Sequence, residues 1–458
     1  MDAAQPRPST GEDTPFSVCD CDSYLAHLCT ISMQEQLVLA SEEVRNQFGI
    51  LLLRQGTPLG SHALQRLQGH RLNRPLDDVF TLRLTPDAET LASDILTTAA
   101  TEPDLASITA RFALDEQIRR LLSTSRLPHA LLQKLAVLRR ALPRVHHRAM
   151  FTAWLGAALA AGRGLTEEES TWIVLAALLH DIGFLHMEPE LSAHRGDITP
   201  RDWEALQAHP ERSIQVIMQS WPDTPARVLR IVAEHHERHD GAGYPEGTDS
   251  AEQDPLSGII GLADMLHALR FDASADQVHS VADCLPFLRV NRRTWGIGNY
   301  RPAARILLAA RDAAPPAETV VAPSAQGLID ANRSLGEIIT LIPTARHVLG
   351  SIGENRTAHS LLQLLEELEG TSRAAGLGAQ TLSAWLHDNL REGRNEPGME
   401  DIALTIKESL WLVRRVDRQL RSLLQERQRT PEAPQLKDLS LRVRSELTRA
   451  WRRFEDRL

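Results

Sequence analysis

Between Leu178 and Pro245 the chain reads ALLHDIG, then QAHPERS, then AEHHERHDGAGYP. It gathers His180, Asp181, His209, His235 and His236 on or beside apolar helical segments. Burying that many ionisable groups is costly unless something pairs with them. A metal cluster is the most economical partner. The set holds imidazoles and a carboxylate but no thiolate. That suits a catalytic transition-metal site, iron or manganese first, better than a structural zinc. Two such ions polarise a phosphoryl group and lower the pKa of a bridging water, which fits hydrolysis of a phosphoester.

The elements that must deliver these groups are legible. Thr166-Glu-Glu-Glu169 reads as a capping box that starts a helix through TWIVLAALLHD, with Gly183 ending it. His180 and Asp181 then lie in its last turn. Adjacent residues point about 100° apart on a helix, so a metal over the helix end can meet both. Thr199 as N-cap and Pro200 at the first helical position open a segment that delivers His209 at its far end. Thr224-Pro225 repeats the device for the helix that delivers His235 and His236. That helix stops at the glycine-rich turn Asp240-Gly241-Ala242-Gly243-Tyr244-Pro245. The apolar helix GIIGLADMLHAL carries one carboxylate, Asp264, which needs a partner that a metal would supply. Upstream, Val145-His146-His147-Arg148 opens another helix, and His147 or His146 is a further candidate ligand.

Single pieces of this set have plain explanations. One helix histidine is more often structural than a ligand. The dipeptide His387-Asp388 has no role assigned, and His186, His194, His239, His267 and His279 read as surface or supporting residues. The weight lies on the ordered series.

At 458 residues the chain is too long for one compact core. Residues 1–22 read as disordered, 23–85 as a small α+β module and 86–142 as a helical connector. In the module, strands are expected at Gln36–Ala40, Gly49–Leu53 and Phe80–Leu84. A turn falls at Gly56-Thr57-Pro58, and Ser61 is expected to cap a short helix. Residues 143–313 carry the motifs. A linker over 314–326 follows, within and just beyond the Pro/Ala-rich run DAAPPAETVVAPS. Residues 327–458 form a C-terminal helical domain, with leucines at helical spacing at Leu361, Leu364, Leu365 and Leu368. The fold class is therefore mainly α, an all-helical catalytic domain between a small α+β module and a helical C-terminal region.

A net charge of -10 argues against a general nucleic-acid or anionic-membrane binder. No apolar run approaches the roughly 20 residues that span a bilayer. The N-terminal stretch MDAAQPRPSTGEDTPF has no apolar core of a secretory signal, so a cytoplasmic protein is expected. Cys19-Asp-Cys21 has no second pair and reads as reduced thiols.

The motifs His180-Asp181-Ile182-Gly183, His209-Pro210, His235-His236-Glu237-Arg238, Asp240–Pro245 and Ala263-Asp264 resemble those of HD-GYP domains, a branch of the HD phosphohydrolase superfamily. The resemblance runs from about Pro143 to Phe271. The module from Gln36 to Phe80 is similar to a small domain often found ahead of HD-GYP domains. The resemblance implies a centre of two or three iron or manganese ions and hydrolysis of the bacterial messenger cyclic di-GMP to pGpG or GMP. It gives ligand roles to His180, Asp181, His209, His235, His236 and Asp264, with Asp181 bridging and His147 in the first ligand place. It implies that His180 and Asp181 stand at the catalytic centre. Arg238, Asp240, Gly241, Gly243, Tyr244 and Pro245 would lie beside the substrate, and the loop could also meet a diguanylate-cyclase partner.

Four positions depart from the family pattern. Phe184 stands where a Lys is usual, and His267 where an Asp is frequent. Arg270-Phe271-Asp272 replaces an Arg-Pro-Tyr-Arg element, and Pro143 occupies the place of an upstream acid. A lost cation beside a phosphoryl group can remove a few kcal/mol of electrostatic help. Two other functions are therefore carried forward. One is a degenerate HD-GYP protein acting as a cyclic di-GMP sensor or scaffold. The other is a phosphohydrolase for another nucleotide. The C-terminal helices are candidates for homodimerisation.

Overall fold

The computed structural model describes residues 16–17, 23–35, 38–74, 79–83, 85–188, 200–239, 241, 243–248, 251–272, 280–292, 294–311, 325–353, 355–392, 399–427 and 429–455. Cys19, Cys21, His194, Thr199, Asp240, Ala242, His279 and the 314–324 part of the expected linker lie outside them. The architecture is mainly helical, as expected. Among the described residues no helix is long and apolar enough to cross a membrane.

The chain divides into two compact units, each assembled from separate stretches. The first takes residues 1–91, 123–149 and 178–224, and the second residues 92–122, 150–177 and 225–458.

In the first unit three short antiparallel ladders form, one of them packing on the Ser23–Glu35 helix. Phe16–Ser17 pairs with Arg71–Leu72, Val38–Ala40 with Phe80–Leu82, and Val44–Arg45 with Leu51–Leu53. The three strands expected here occur among the described residues as Val38–Ala40, Leu51–Leu53 and Phe80–Leu82. Gly56, at φ 77°, makes the turn, and its N–H donates to the Ala40 carbonyl. The next helix begins at Ser61, but Gly60 occupies the cap position and no side chain caps it, which corrects the role expected of Ser61. The His129–Ala141 helix docks through the buried Gln133. Its amide accepts from Leu82 N–H (3.2 Å) and donates to the Phe80 carbonyl (3.0 Å), closing the sheet edge. One position along, the buried Lys134 lies 3.9 Å from the centre of the Tyr24 ring and 3.3 Å from His186 Nε2. His186 stacks on the same tyrosine at 5.0 Å. The N-terminal helix thus grips the short 3-10 turn Ile182–His186 that follows Asp181.

The second unit holds the long helical tail. Leu361, Leu364, Leu365 and Leu368 are buried, as are Leu410, Val413, Val416, Leu420 and Leu423, so the leucine spacing does mark the inner faces of helices Arg356–Ala375 and Met399–Glu426. Those two helices join Ala325–Thr340 and Ala433–Glu455 in one apolar core. Helix Met399–Glu426 also packs on the short helix Leu285–Val290, placing Glu408 near Cys284 with both side chains buried. In the motif region the capping box at Thr166 forms in full. Thr166 N–H donates to Glu169 Oε2 (3.0 Å) and Glu169 N–H donates to Thr166 Oγ1 (3.2 Å). Such a box is worth about 1 kcal/mol to the helix it starts.

Candidate metal centre

The helix Glu167–Leu179 ends at the residue before His180, and in the first unit a 3-10 turn over Ile182–His186 follows. His180 and Asp181 therefore sit at the junction, not in the last helical turn. Gly183 does not end the helix in a left-handed conformation. It lies inside the 3-10 turn, where a Cβ would stand 2.6 Å from Ser213 N and 2.7 Å from the His209 carbonyl oxygen. The glycine is needed for that close approach. Ser213 locks the junction from the other side, its Oγ donating to the His180 carbonyl (2.7 Å) and accepting from Gly183 N–H (2.9 Å). Gly183→Ala should force the turn off the His209–Ser220 helix and cost about 1–3 kcal/mol, as overpacking does. Thermal denaturation with and without Mn2+ would measure it. An unchanged melting temperature would contradict the packing.

His209 also sits at a junction. Pro200–Gln207 and His209–Ser220 are separate helices, and Pro210 at the second position of the latter cannot continue the former. His209 Nδ1 lies 2.7 Å from the Leu206 carbonyl. A carbonyl only accepts, so Nδ1 carries the proton and Nε2 is the donor atom left for a cation. That Nε2 lies 3.2 Å from Asp181 Oδ1, while His180 Nε2 lies 3.3 Å from Asp181 Oδ2. A neutral imidazole lone pair held against a carboxylate oxygen is repulsive unless a proton or a cation lies between them. The carboxylate turns one oxygen to each imidazole, which is the disposition of a bridging ligand. Burial pushes the Asp181 carboxyl up, but with a proton in each of these gaps the charges and hydrogen bonds of His180 and His209 outweigh it and hold the carboxyl well below the usual carboxylate range. Arg148 Nη1, 3.5 Å from Asp181 Oδ2, adds a cation that the motif reading did not single out.

Phe184 is buried and lies flat on His209, ring centres 4.7 Å apart at 18°. His146 and His147 sit in the first turn of helix Pro143–Arg163. His146 is the more buried, and desolvation, then Arg139 and His147, drives it down to about 4, so it is neutral.

In the second unit the helix Ala226–Glu234 ends where His235 begins. Pro225 is its cap residue, whereas Thr224 Oγ1 donates to the Trp221 carbonyl, so the expected threonine cap is not made. His235 is fully buried and repeats the His209 device, Nδ1 2.6 Å from the carbonyl three residues back, Val232. Its Nε2 is thereby committed as an acceptor. His236 stacks on Tyr244 at 4.5 Å and 22°. Glu237, buried, accepts from the N–H groups of Glu246 (2.7 Å) and Gly247 (2.9 Å), so the residue after the two histidines pins the Tyr244–Pro245 loop. Gly243 passes so close that a Cβ would sit 2.5 Å from three backbone atoms of His236, Glu237 and Arg238. Gly241 holds φ 67°. Arg238 lays its guanidinium over Trp295 at 5.1 Å.

Asp264 is buried in the middle of helix Ser257–His267. Gly261 lets that helix touch the His235 carbonyl, where a Cβ would be 2.4 Å away. Glu234 fixes the helix start, accepting from Asp254 N–H (2.6 Å) and Ser257 Oγ (2.8 Å). His267 is not a surface residue: it is buried against Phe151 and Phe271. Arg270 turns to Glu102, 2.6 Å away.

In the first unit Asp181 lies between His180 and His209, and in the second unit His235 and His236 lie side by side; among the described residues, His146, His147 and Asp264 join no group of donor atoms able to hold a metal ion. The residues that sequence reasoning missed are Arg148, Ser213 and Glu237. Only Glu237 carried a signal, its place directly after the paired histidines.

Residues 130–294 match the HD domain family. That stretch holds the histidine and aspartate motifs from His147 to Asp264. The "3'3'-cGAMP-specific phosphodiesterase 3" of Vibrio cholerae serotype O1 is 30% identical over 131 residues, covering 28% of this chain and 28% of that protein. The "Cyclic di-GMP phosphodiesterase" of Thermotoga maritima is 32% identical over 125 residues, 27% of this chain and 34% of that protein. The "Cyclic di-GMP phosphodiesterase response regulator RpfG" of Xanthomonas campestris pv. campestris is 34% identical over 107 residues, 23% of this chain and 28% of that protein. The chain therefore spans at most 34% of the length of these relatives.

Proposed function

We propose that this protein is a metal-dependent phosphodiesterase that opens cyclic di-GMP to pGpG or GMP. The observation that carries the reading is Asp181, whose two oxygens face the Nε2 atoms of His180 and His209. The proposed ligand set is His180, Asp181, His209, His235, His236 and Asp264, with His147 rather than His146 in the remaining place. Two ions, or three, of iron or manganese would polarise a phosphoryl oxygen and acidify a water between them. The chain's own part is preorganisation. The Leu206 and Val232 carbonyls fix the tautomers of His209 and His235. Ser213 and Gly183 hold Asp181 at its junction. Glu237 and Gly243 shape the loop of Arg238, Asp240, Gly241, Tyr244 and Pro245 that would contact the nucleotide. The names of the relatives support both cyclic di-GMP and 3'3'-cGAMP as substrates to test. A cytoplasmic location, a diguanylate-cyclase partner and a homodimer through the C-terminal helices belong to the same proposal.

Purified protein loaded with Mn2+ or Fe2+ should convert cyclic di-GMP to a linear product separable by ion-pair chromatography, with 3'3'-cGAMP run in parallel. Fully loaded protein that linearises neither dinucleotide would overturn the reading.

A second reading, a cyclic di-GMP sensor or scaffold without turnover, is favoured by two observations. Phe184 gives the site a neutral ring in place of a cation, and Arg270 is already engaged with Glu102. Nucleotide binding without hydrolysis would select it. Activity on a different nucleotide alone would select the third reading.

A further inference from the structure

We propose that Lys134 is a positioning residue for Asp181, acting through His186 and Tyr24, so that the N-terminal helix helps set how the carboxylate meets a metal. The inference rests on the metal-centre reading above. Asp181 leads straight into the 3-10 turn Ile182–His186, and its carbonyl accepts from Phe184 N–H (3.1 Å). A 3-10 helix has poorer hydrogen-bond geometry than an α-helix, and runs longer than about three or four residues are uncommon. This one holds five residues, so contacts from elsewhere in the first unit must keep its course. Ser213 anchors the near end, accepting from Gly183 N–H (2.9 Å) and donating to the His180 carbonyl (2.7 Å). Lys134 anchors the far end. Its Nζ lies 3.3 Å from Nε2 of His186, the last residue of the turn, and an ammonium only donates, so the imidazole accepts. The Tyr24 ring centre lies 3.9 Å from the same Nζ, and the ring stacks on the same imidazole at 5.0 Å and 21°. A cation over an aromatic face gains most where water is excluded, and Lys134 and Tyr24 are 1% and 2% exposed.

The far anchor bears on the metal because Asp181 has two contacts to keep at once. It turns Oδ1 to His209 Nε2 (3.2 Å) and Oδ2 to His180 Nε2 (3.3 Å), so rewinding the turn changes both together. Lys134 comes from helix His129–Ala141 and Tyr24 from helix Ser23–Glu35, and neither belongs to the motif series. The first helix of the α+β module therefore covers the clamp on the turn that follows the carboxylate. Supports of metal ligands typically govern affinity by about 10–100-fold. A purely structural lysine would lower the melting temperature and leave metal affinity alone. A positioning lysine changes the affinity of protein that stays folded.

The test is calorimetric titration of the full chain with Mn2+, beside thermal denaturation without metal to show that each variant is folded at the titration temperature. K134M keeps most of the apolar stem and removes the ammonium. It should weaken Mn2+ binding about tenfold, the low end of what ligand supports contribute. H186L cuts the same contact from the other side and should weaken binding to a similar degree. The double variant K134M/H186L should lie within about twofold of the weaker single variant, because the two changes remove one shared interaction. Y24F keeps the ring and should bind within about twofold of the parent. If K134M does not fold, H186L makes the comparison. Parent-like Mn2+ affinity in folded K134M or H186L, or losses that simply add in the double variant, overturns the positioning role and leaves the metal centre standing. A loss in Y24F equal to that of K134M overturns the part given to the ring. Failure of the parent protein itself to bind Mn2+ overturns the metal centre and this inference with it.

Discussion

Asp181→Asn should abolish metal binding and hydrolysis together while leaving the fold intact. The two oxygens of Asp181 lie 3.3 Å and 3.2 Å from the Nε2 atoms of His180 and His209, and the carboxylate is buried. Asparagine has the same shape, but its amide nitrogen donates a hydrogen bond toward one imidazole and cannot ligate an ion. The buried site is thus satisfied without a metal, so the protein should fold. Its Mn2+ affinity should fall by more than about 100-fold, beyond the range typical of residues that only support a ligand. Metal content after dialysis and dinucleotide turnover should fall in step. Full metal content in Asp181→Asn would show that the acid is no ligand. Full turnover without bound metal would remove the metal from the reaction altogether.

Glu408→Gln should stabilise the protein strongly at alkaline pH and hardly at all in acid. Glu408 lies buried where helix Met399–Glu426 packs on helix Leu285–Val290. Burial pushes its carboxyl from 4.5 up to about 7, with Lys407 pulling the other way. The nearby Cys284 thiol is raised too, by burial first and then by the Glu408 charge. The folded-state pKa is above the unfolded one, so the folded protein keeps a proton that the unfolded chain releases. Stability from this group is complete below pH 4.5, declines as pH rises toward about 7, and is gone above it. Moving the carboxyl from 4.5 to about 7 corresponds to about 3 kcal/mol. Glutamine removes the titration, so Glu408→Gln should raise the melting temperature by several degrees at pH 8 and leave it unchanged at pH 4. An equal change at both pH values would mean that the effect is packing rather than ionisation.

The sequence was most informative where one residue type has one dominant physical use. Thr166 and Glu169 made the capping box that their spacing announces, and the leucines of the C-terminal helices are buried on the faces that their period predicts. The ligand-bearing segments were also recognisable, because imidazoles and acids in apolar surroundings call for a partner. What was not legible are the junctions. Gly183 carries the signature of a helix end, yet its use is a close approach to a helix some thirty residues later. Thr224 resembles a cap, but its hydroxyl finds the Trp221 carbonyl first. The stack of Phe184 on His209 joins residues twenty-five positions apart, and no local pattern encodes that meeting. Local signals name the donors, while tertiary contacts decide how tightly each is held.

The stack of Tyr24 on His186 also bears on how this polypeptide can be cut and made. The first compact unit draws on residues 1–91, 123–149 and 178–224, so a ribosome must release its third stretch before that unit can close. Trimming the leading segment through Tyr24 would uncover Lys134 and His186, which that ring now covers. A truncation series that removes Tyr24 should accordingly yield insoluble protein.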